Sequence, residues 1–130
     1  MQTVITGGCN CGLVRYSGAP KDVAMFRCHC RDCQQLTVGG HSEMMPMELD
    51  SFSISNARQI FEITGGSGQS TYSSFCPNCS SPLTRQSERM SDRIYVHAAS
   101  LDDPSSYAPA KSFYSEDAQH WDDAIIVDGG

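Results

Sequence analysis

Apolar positions in this chain come in short runs, and no run is long. Residues 14–16 (Val-Arg-Tyr), 23–26 (Val-Ala-Met-Phe), 52–54, 60–63, 71–75 and 93–98 alternate apolar with polar side chains or carry β-branched and aromatic residues. Each predicts a short strand. One stretch, residues 31–37 (Arg-Asp-Cys-Gln-Gln-Leu-Thr), predicts a short helix. Turn chemistry fills the gaps: Gly39-Gly40, Asn56, Pro77-Asn78 and Pro104-Ser-Ser106. The Gly65–Ser70 segment reads as a loop between strands rather than a boundary. The expected class is all-β, with the short helix next to a cysteine-rich turn.

Length and charge narrow this further. At 130 residues without linker or low-complexity tract, residues 1–130 are expected to form a single domain. The N-terminus shows no basic leader with an apolar run, and no window approaches the ~18 apolar residues of a membrane span. The expectation is a soluble, cytoplasmic protein with no membrane partner. Nine basic and fifteen acidic residues give a net charge of −6. The basic residues are scattered, and none follows Lys111, whereas Glu116, Asp117, Asp122, Asp123 and Asp128 do. That balance argues against a nucleic-acid partner.

Seven cysteines change the picture most. An odd count excludes complete internal disulfide pairing, and clustered cysteines in a reducing compartment point to metal or to chemistry. They fall into three groups: Cys9-Asn-Cys11, Cys28-His-Cys30-Arg-Asp-Cys33, and Cys76-Pro-Asn-Cys79. Two close pairs on turns, with 64 residues between them, suit one tetrahedral ion, since zinc takes four thiolates at ~2.3 Å in a closed structural site. Pro77 fixes φ in the third group, and Asn78 tolerates the left-handed region. Cys28, Cys30 and Cys33 offer three ligands and leave a fourth position open, the arrangement of a catalytic zinc. Other readings stay open: inert buried thiols, a redox Cys76/Cys79 pair, or His29 as a fourth ligand closing the second site.

The sequence resembles the glutathione-dependent formaldehyde-activating enzymes, which share a domain with centromere protein V. The resemblance rests on Gly7-Gly-Cys-Asn-Cys-Gly-Leu-Val-Arg-Tyr16, Cys28-His-Cys-Arg-Asp-Cys-Gln34, Phe75-Cys-Pro-Asn-Cys79, Ala99-Ser-Leu-Asp-Asp103 and Trp121, in the family's order. It implies a β-tent fold of small antiparallel sheets. It also implies a structural zinc on Cys9, Cys11, Cys76 and Cys79 and a second, catalytic zinc on Cys28, Cys30 and Cys33, hence two zinc ions per chain. The implied activity is that of a carbon–sulfur lyase joining glutathione and formaldehyde into S-hydroxymethylglutathione. Three positions depart from the family pattern. Ser80 stands where Gly is usual, Tyr72-Ser-Ser-Phe75 lacks the usual Arg or His, and Ala99-Ser-Leu-Asp102 replaces Gly-Thr-Leu-Asp.

Three thiolates make zinc electron-rich, so its natural task is to bind a small substrate thiol as thiolate, which adds to an aldehyde carbon. His29, His41 and His97 are candidate proton donors, with His41 best placed by its loop, Gly39-Gly-His-Ser-Glu43. Arg31 and Gln34 are candidate ligands for a substrate carboxylate or amide. Asp102 and Asp103 read as a turn or cap before Pro104, and Trp121 with Phe113 and Tyr114 as an aromatic group closing the core. A competing class is a non-catalytic zinc module, acting as thiol carrier or protein-interaction domain. A chromatin or microtubule role by analogy with centromere protein V runs against the acidic balance.

Overall fold

The computed structural model describes residues 3–65, 68–123 and 126. Among these, strands dominate, with a single short α-helix. The strands are β1 (Ile5–Gly8), β2 (Arg15–Gly18), β3 (Phe26–Cys28), β4 (Ser42–Glu48), β5 (Ser53–Ile54), β6 (Gln59–Thr64), β7 (Ser70–Phe75), β8 (Pro82–Ser87), β9 (Arg93–His97) and β10 (Lys111–Phe113). The helix, α1, spans Arg31–Thr37, the range the sequence predicts. The all-β expectation is therefore met.

Two sheets carry the strands. The smaller has the order β1-β2-β5, and the larger β10-β3-β4-β9-β8-β7-β6. Pairing is antiparallel except for β10 on β3, which is parallel. The core gathers Val14, Tyr16, Met45, Met47, Leu83, Val96 and Leu101, and it includes Cys9 and Cys76. Two of the sulfurs that frame the first cluster thus sit in the apolar interior, so that cluster is tied to the core.

Motifs distant in sequence are pinned together. Asp102 accepts from both Arg15 guanidinium arms and from the Thr6 hydroxyl at 2.6 Å. The hydroxyls of Tyr16 and Ser100 lie 2.6 Å apart. Gly7 bridges Leu101, and a Cβ at Gly7 would run into the Tyr16 ring and the Ser100 carbonyl. The absence of a side chain there lets β1 meet the 99–102 segment. Asp103 accepts from Ser105 N–H at 3.1 Å, the cap expected before Pro104.

Several expectations need correction. Strand β3 begins only at Phe26, so residues 23–25 of the predicted run lie outside it. Both partners explain this: pairing with β4 and with β10 starts at Phe26. Strands β1, β4, β8 and β10 were not expected at all. Trp121, Phe113 and Tyr114 do not close the core; they are 62%, 44% and 55% exposed. The left-handed residue of the Cys76–Cys79 turn is Ser80, at φ +62°, and not Asn78.

Candidate metal and thiol sites

Cys9, Cys11, Cys76 and Cys79 come together from two turns. The first turn is closed by Cys9 N–H to Val14 O at 3.0 Å and Gly12 N–H to Cys9 O at 3.2 Å, with Gly12 at φ +83°. The second is closed by Ser80 N–H to Cys76 O at 2.8 Å. All four Sγ atoms lie within 4.8 Å of one another. Cys9 and Cys11 sulfurs are 3.6 Å apart, and Cys11 and Cys76 sulfurs 3.7 Å apart. Four thiolates at ~2.3 Å around a tetrahedral ion would stand ~3.8 Å apart, so the set fits zinc. Backbone N–H groups already point at the sulfurs: Val14 to Cys9 at 3.2 Å, and Asn78 and Cys79 to Cys76 at 3.3 and 3.4 Å. Hydrogen bonds from the Ser81 hydroxyl and N–H hold Cys79 down to about 5, the thiolate form a metal needs.

The second cluster forms where β3 ends and α1 begins. Cys28 closes β3, Cys30 is the N-cap of α1, and Cys33 lies one turn in. Cys30 Sγ accepts from Cys33 N–H at 3.3 Å. The three sulfurs lie within 4.8 Å of one another, and no fourth Cys, His, Asp or Glu joins that group among the described residues. Hydrogen bonds from Cys28 and then Cys33 draw the Cys30 thiol far down, and Arg85 adds to this. Cys28, donating to both and buried, is pushed up. Cys30 is thereby the sulfur of the three most biased toward thiolate.

These sulfurs open into a cavity of about 620 Å³. Its walls include Arg85 and Arg89 from the β8 side, Tyr95 from β9, and Phe113 and Tyr114 from the β10 end. Arg85 Nη1 is 2.7 Å from Cys33 Sγ. Strand β8 thus places a cation against the cluster. Sequence reasoning missed Arg85, because β8 carries no strand signal of its own and Arg85 meets Cys33 from 52 residues away.

The other expected residues are placed elsewhere. His29 does not turn toward the sulfurs between which it sits. It is fully buried beside His41 and Asp122, and burial pushes its imidazole pKa down. His41 and Glu43 line a different cavity, of about 570 Å³, together with Cys9, Arg15 and His97. Gln34 is buried and spends its amide on protein partners: it donates to His29 O at 2.7 Å and Asp117 O at 3.0 Å and accepts from Gln119 at 2.9 Å and from Arg31. Arg31 and Gln34 brace the α1 end of the cluster; neither lines the cavity above the sulfurs.

Comparison with known proteins bears on the family and the fold. A sequence model described as glutathione-dependent formaldehyde-activating enzyme matches residues 4–117. A crystal structure of a Rhodobacter sphaeroides protein is similar, with a TM-score of 0.66 and 16% identity, over 83% of this chain and 99% of that one. At that identity the likeness concerns the fold. No curated protein matches the chain.

Proposed function

Because this chain belongs to the glutathione-dependent formaldehyde-activating enzyme family, we propose that it is a zinc-dependent carbon–sulfur lyase-like enzyme. It takes a small, glutathione-like thiol at Cys28, Cys30 and Cys33 and forms or cleaves an S-hydroxyalkyl adduct. A second, structural zinc is held by Cys9, Cys11, Cys76 and Cys79. The observation that carries the reading is the three-sulfur group, joined by no fourth Cys, His, Asp or Glu among the described residues, opening into a cavity with two arginines on its wall.

Zinc at the three-cysteine site supplies, when bound, the Lewis acidity that keeps a substrate thiol deprotonated near neutral pH. Everything else falls to the chain. Cys28, Cys30 and Cys33 hold one face and leave the cavity side free. Arg85, against Cys33, offsets the negative charge the sulfurs accumulate. Arg85 and Arg89 give the carboxylates of a glutathione-like molecule cationic partners, and Phe113 and Tyr114 give its carbon skeleton a wall. The volume is within the range of small-molecule sites. In the forming direction the thiol loses its proton to solvent, sulfur attacks the aldehyde carbon, and the carbonyl oxygen takes a proton back. Nothing is oxidised or reduced. Proton return comes from solvent through the cavity mouth, because His41 lines the other cavity.

The test is exchange spectroscopy on glutathione and formaldehyde with the purified, zinc-loaded chain. Adduct exchange accelerated by the wild type and abolished by Cys30→Ser supports the enzyme. Thiol binding without acceleration supports the carrier or interaction module instead.

A further inference from the structure

We propose that His29, His41 and Asp122 form a site for a divalent transition-metal ion, separate from both cysteine clusters. Each offers one ligand atom, and the three atoms lie within 4.8 Å of one another. His29 is 0% exposed, and among the described residues neither of its ring nitrogens makes a well-formed hydrogen bond. A buried imidazole left so is rare, because its polar atoms lose water and are poorly compensated. Its Nδ1 faces Asp122 Oδ2 at 3.4 Å. That is the separation of two ligands each ~2.1 Å from one tetrahedral ion, for which ~3.4 Å is expected.

The second imidazole carries a supporting carboxylate. His41 Nδ1 and Asp122 Oδ2 are in direct hydrogen-bond contact at 2.8 Å, a contact that an ion would replace by drawing the two atoms ~0.6 Å further apart, and His41 Nε2 meets Glu43 Oε2 at 3.0 Å. An outer carboxylate on the second nitrogen fixes tautomer and ring orientation in metal sites. Glu43 is itself held by Arg27 Nε at 2.8 Å and by the Tyr107 hydroxyl at 2.9 Å. Gly40 makes room for the third ligand: a Cβ there would collide with the Asp122 carboxylate. Two imidazoles and one carboxylate suit zinc, ferrous iron, cobalt or nickel rather than magnesium or calcium. The ion would fasten the 122 region to β4 and to the turn between Cys28 and Cys30.

The inference stands whether or not the three-cysteine site turns over a thiol. The full chain is dialysed against zinc, desalted and read by zinc-edge X-ray absorption and by metal counting. The wild type is expected to show imidazole scattering beside the sulfur shell. Asp122→Asn, which keeps the shape, and His29→Phe, which fills the buried space without ligating, are each expected to lose one zinc per chain and the imidazole features while the sulfur shell persists. A wild-type spectrum without imidazole scattering overturns the proposal even if both variants misfold. Equal zinc counts in wild type and folded variants overturn it as well.

Discussion

Arg85 Nη1 and Cys33 Sγ are 2.7 Å apart, which ties strand β8 to the first turn of α1 across 52 residues. With zinc on the cluster Cys33 is a thiolate, and a guanidinium against it makes a charge-assisted hydrogen bond, worth roughly 1.5–3 kcal/mol. Arg85→Met is expected to lower kcat/KM for thiol–aldehyde adduct formation about 10- to 100-fold, with Arg85→Lys in between. Steady-state kinetics on samples matched for zinc content measures this. Unchanged kcat/KM would remove Arg85 from the mechanism.

The two cysteine clusters should differ in what their loss does. Cys76 is buried in the core, whereas Cys30 lies at the rim of a cavity. Structural zinc contributes on the order of 10 kcal/mol where folding depends on it. Cys76→Ser, or a strong chelator, is therefore expected to abolish the cooperative melting transition. Cys30→Ser should lose one zinc and the activity while its melting temperature falls by only a few degrees. Calorimetry with metal counting separates the two; identical melting losses would contradict the division of roles.

Ser80 occupies the left-handed region at φ +62° immediately after Cys79. An L-residue there costs roughly 1–2 kcal/mol, partly returned by the Ser80 hydroxyl donating to Cys79 O at 2.6 Å. Ser80→Gly is expected to raise stability by about 0.5–1 kcal/mol, and Ser80→Val to lower it. Chemical denaturation of the zinc-loaded protein gives both values.

His97 supplies a pH dependence. Burial, reinforced by Arg85, holds its imidazole down to about 4, against 6.5 in an unfolded chain. Between those values the unfolded state binds more protons, so stability rises with pH. The contribution is full above pH 6.5 and lost as pH falls toward 4, on the order of 3 kcal/mol in all. Denaturation at pH 7.5 and pH 5 should show a drop in the wild type that is smaller in His97→Asn. An equal drop would place the acid sensitivity elsewhere.

What could be read from the sequence was local. The short helix at 31–37 follows from its composition, and the cysteine groups from their spacing. Strands β6, β7 and β9 follow from β-branched and aromatic runs. Strand β4 was hidden because Met44, Met45, Pro46 and Met47 show no alternation. All four are buried, and a proline is unexpected in a strand paired on both sides. Strand β1 was hidden by its glycines: Gly7 packs close against Tyr16, and Gly8 against the Val14 carbonyl and the Arg15 side chain. Strand β8 is polar and starts on Pro82, so only its neighbours make it a strand. Arg85 and Asp122 escaped for a different reason. Each meets its partner across more than fifty residues, and no spacing rule reports such a meeting.

The parallel pairing of β10 on β3 sets an order of assembly. Lys111 aligns with Phe26 and Phe113 with Cys28, and His29 N–H donates to Phe113 O at 2.9 Å. The edge beside the Cys28 turn therefore stays open until the chain has been made past residue 113. Contacts this distant in sequence form slowly, and synthesis proceeds from the N-terminus. A ribosome-bound chain would hold the Cys9, Cys11, Cys76 and Cys79 ligands well before the cavity wall at Phe113 exists. The fold would then be fastened first and its cavity completed last.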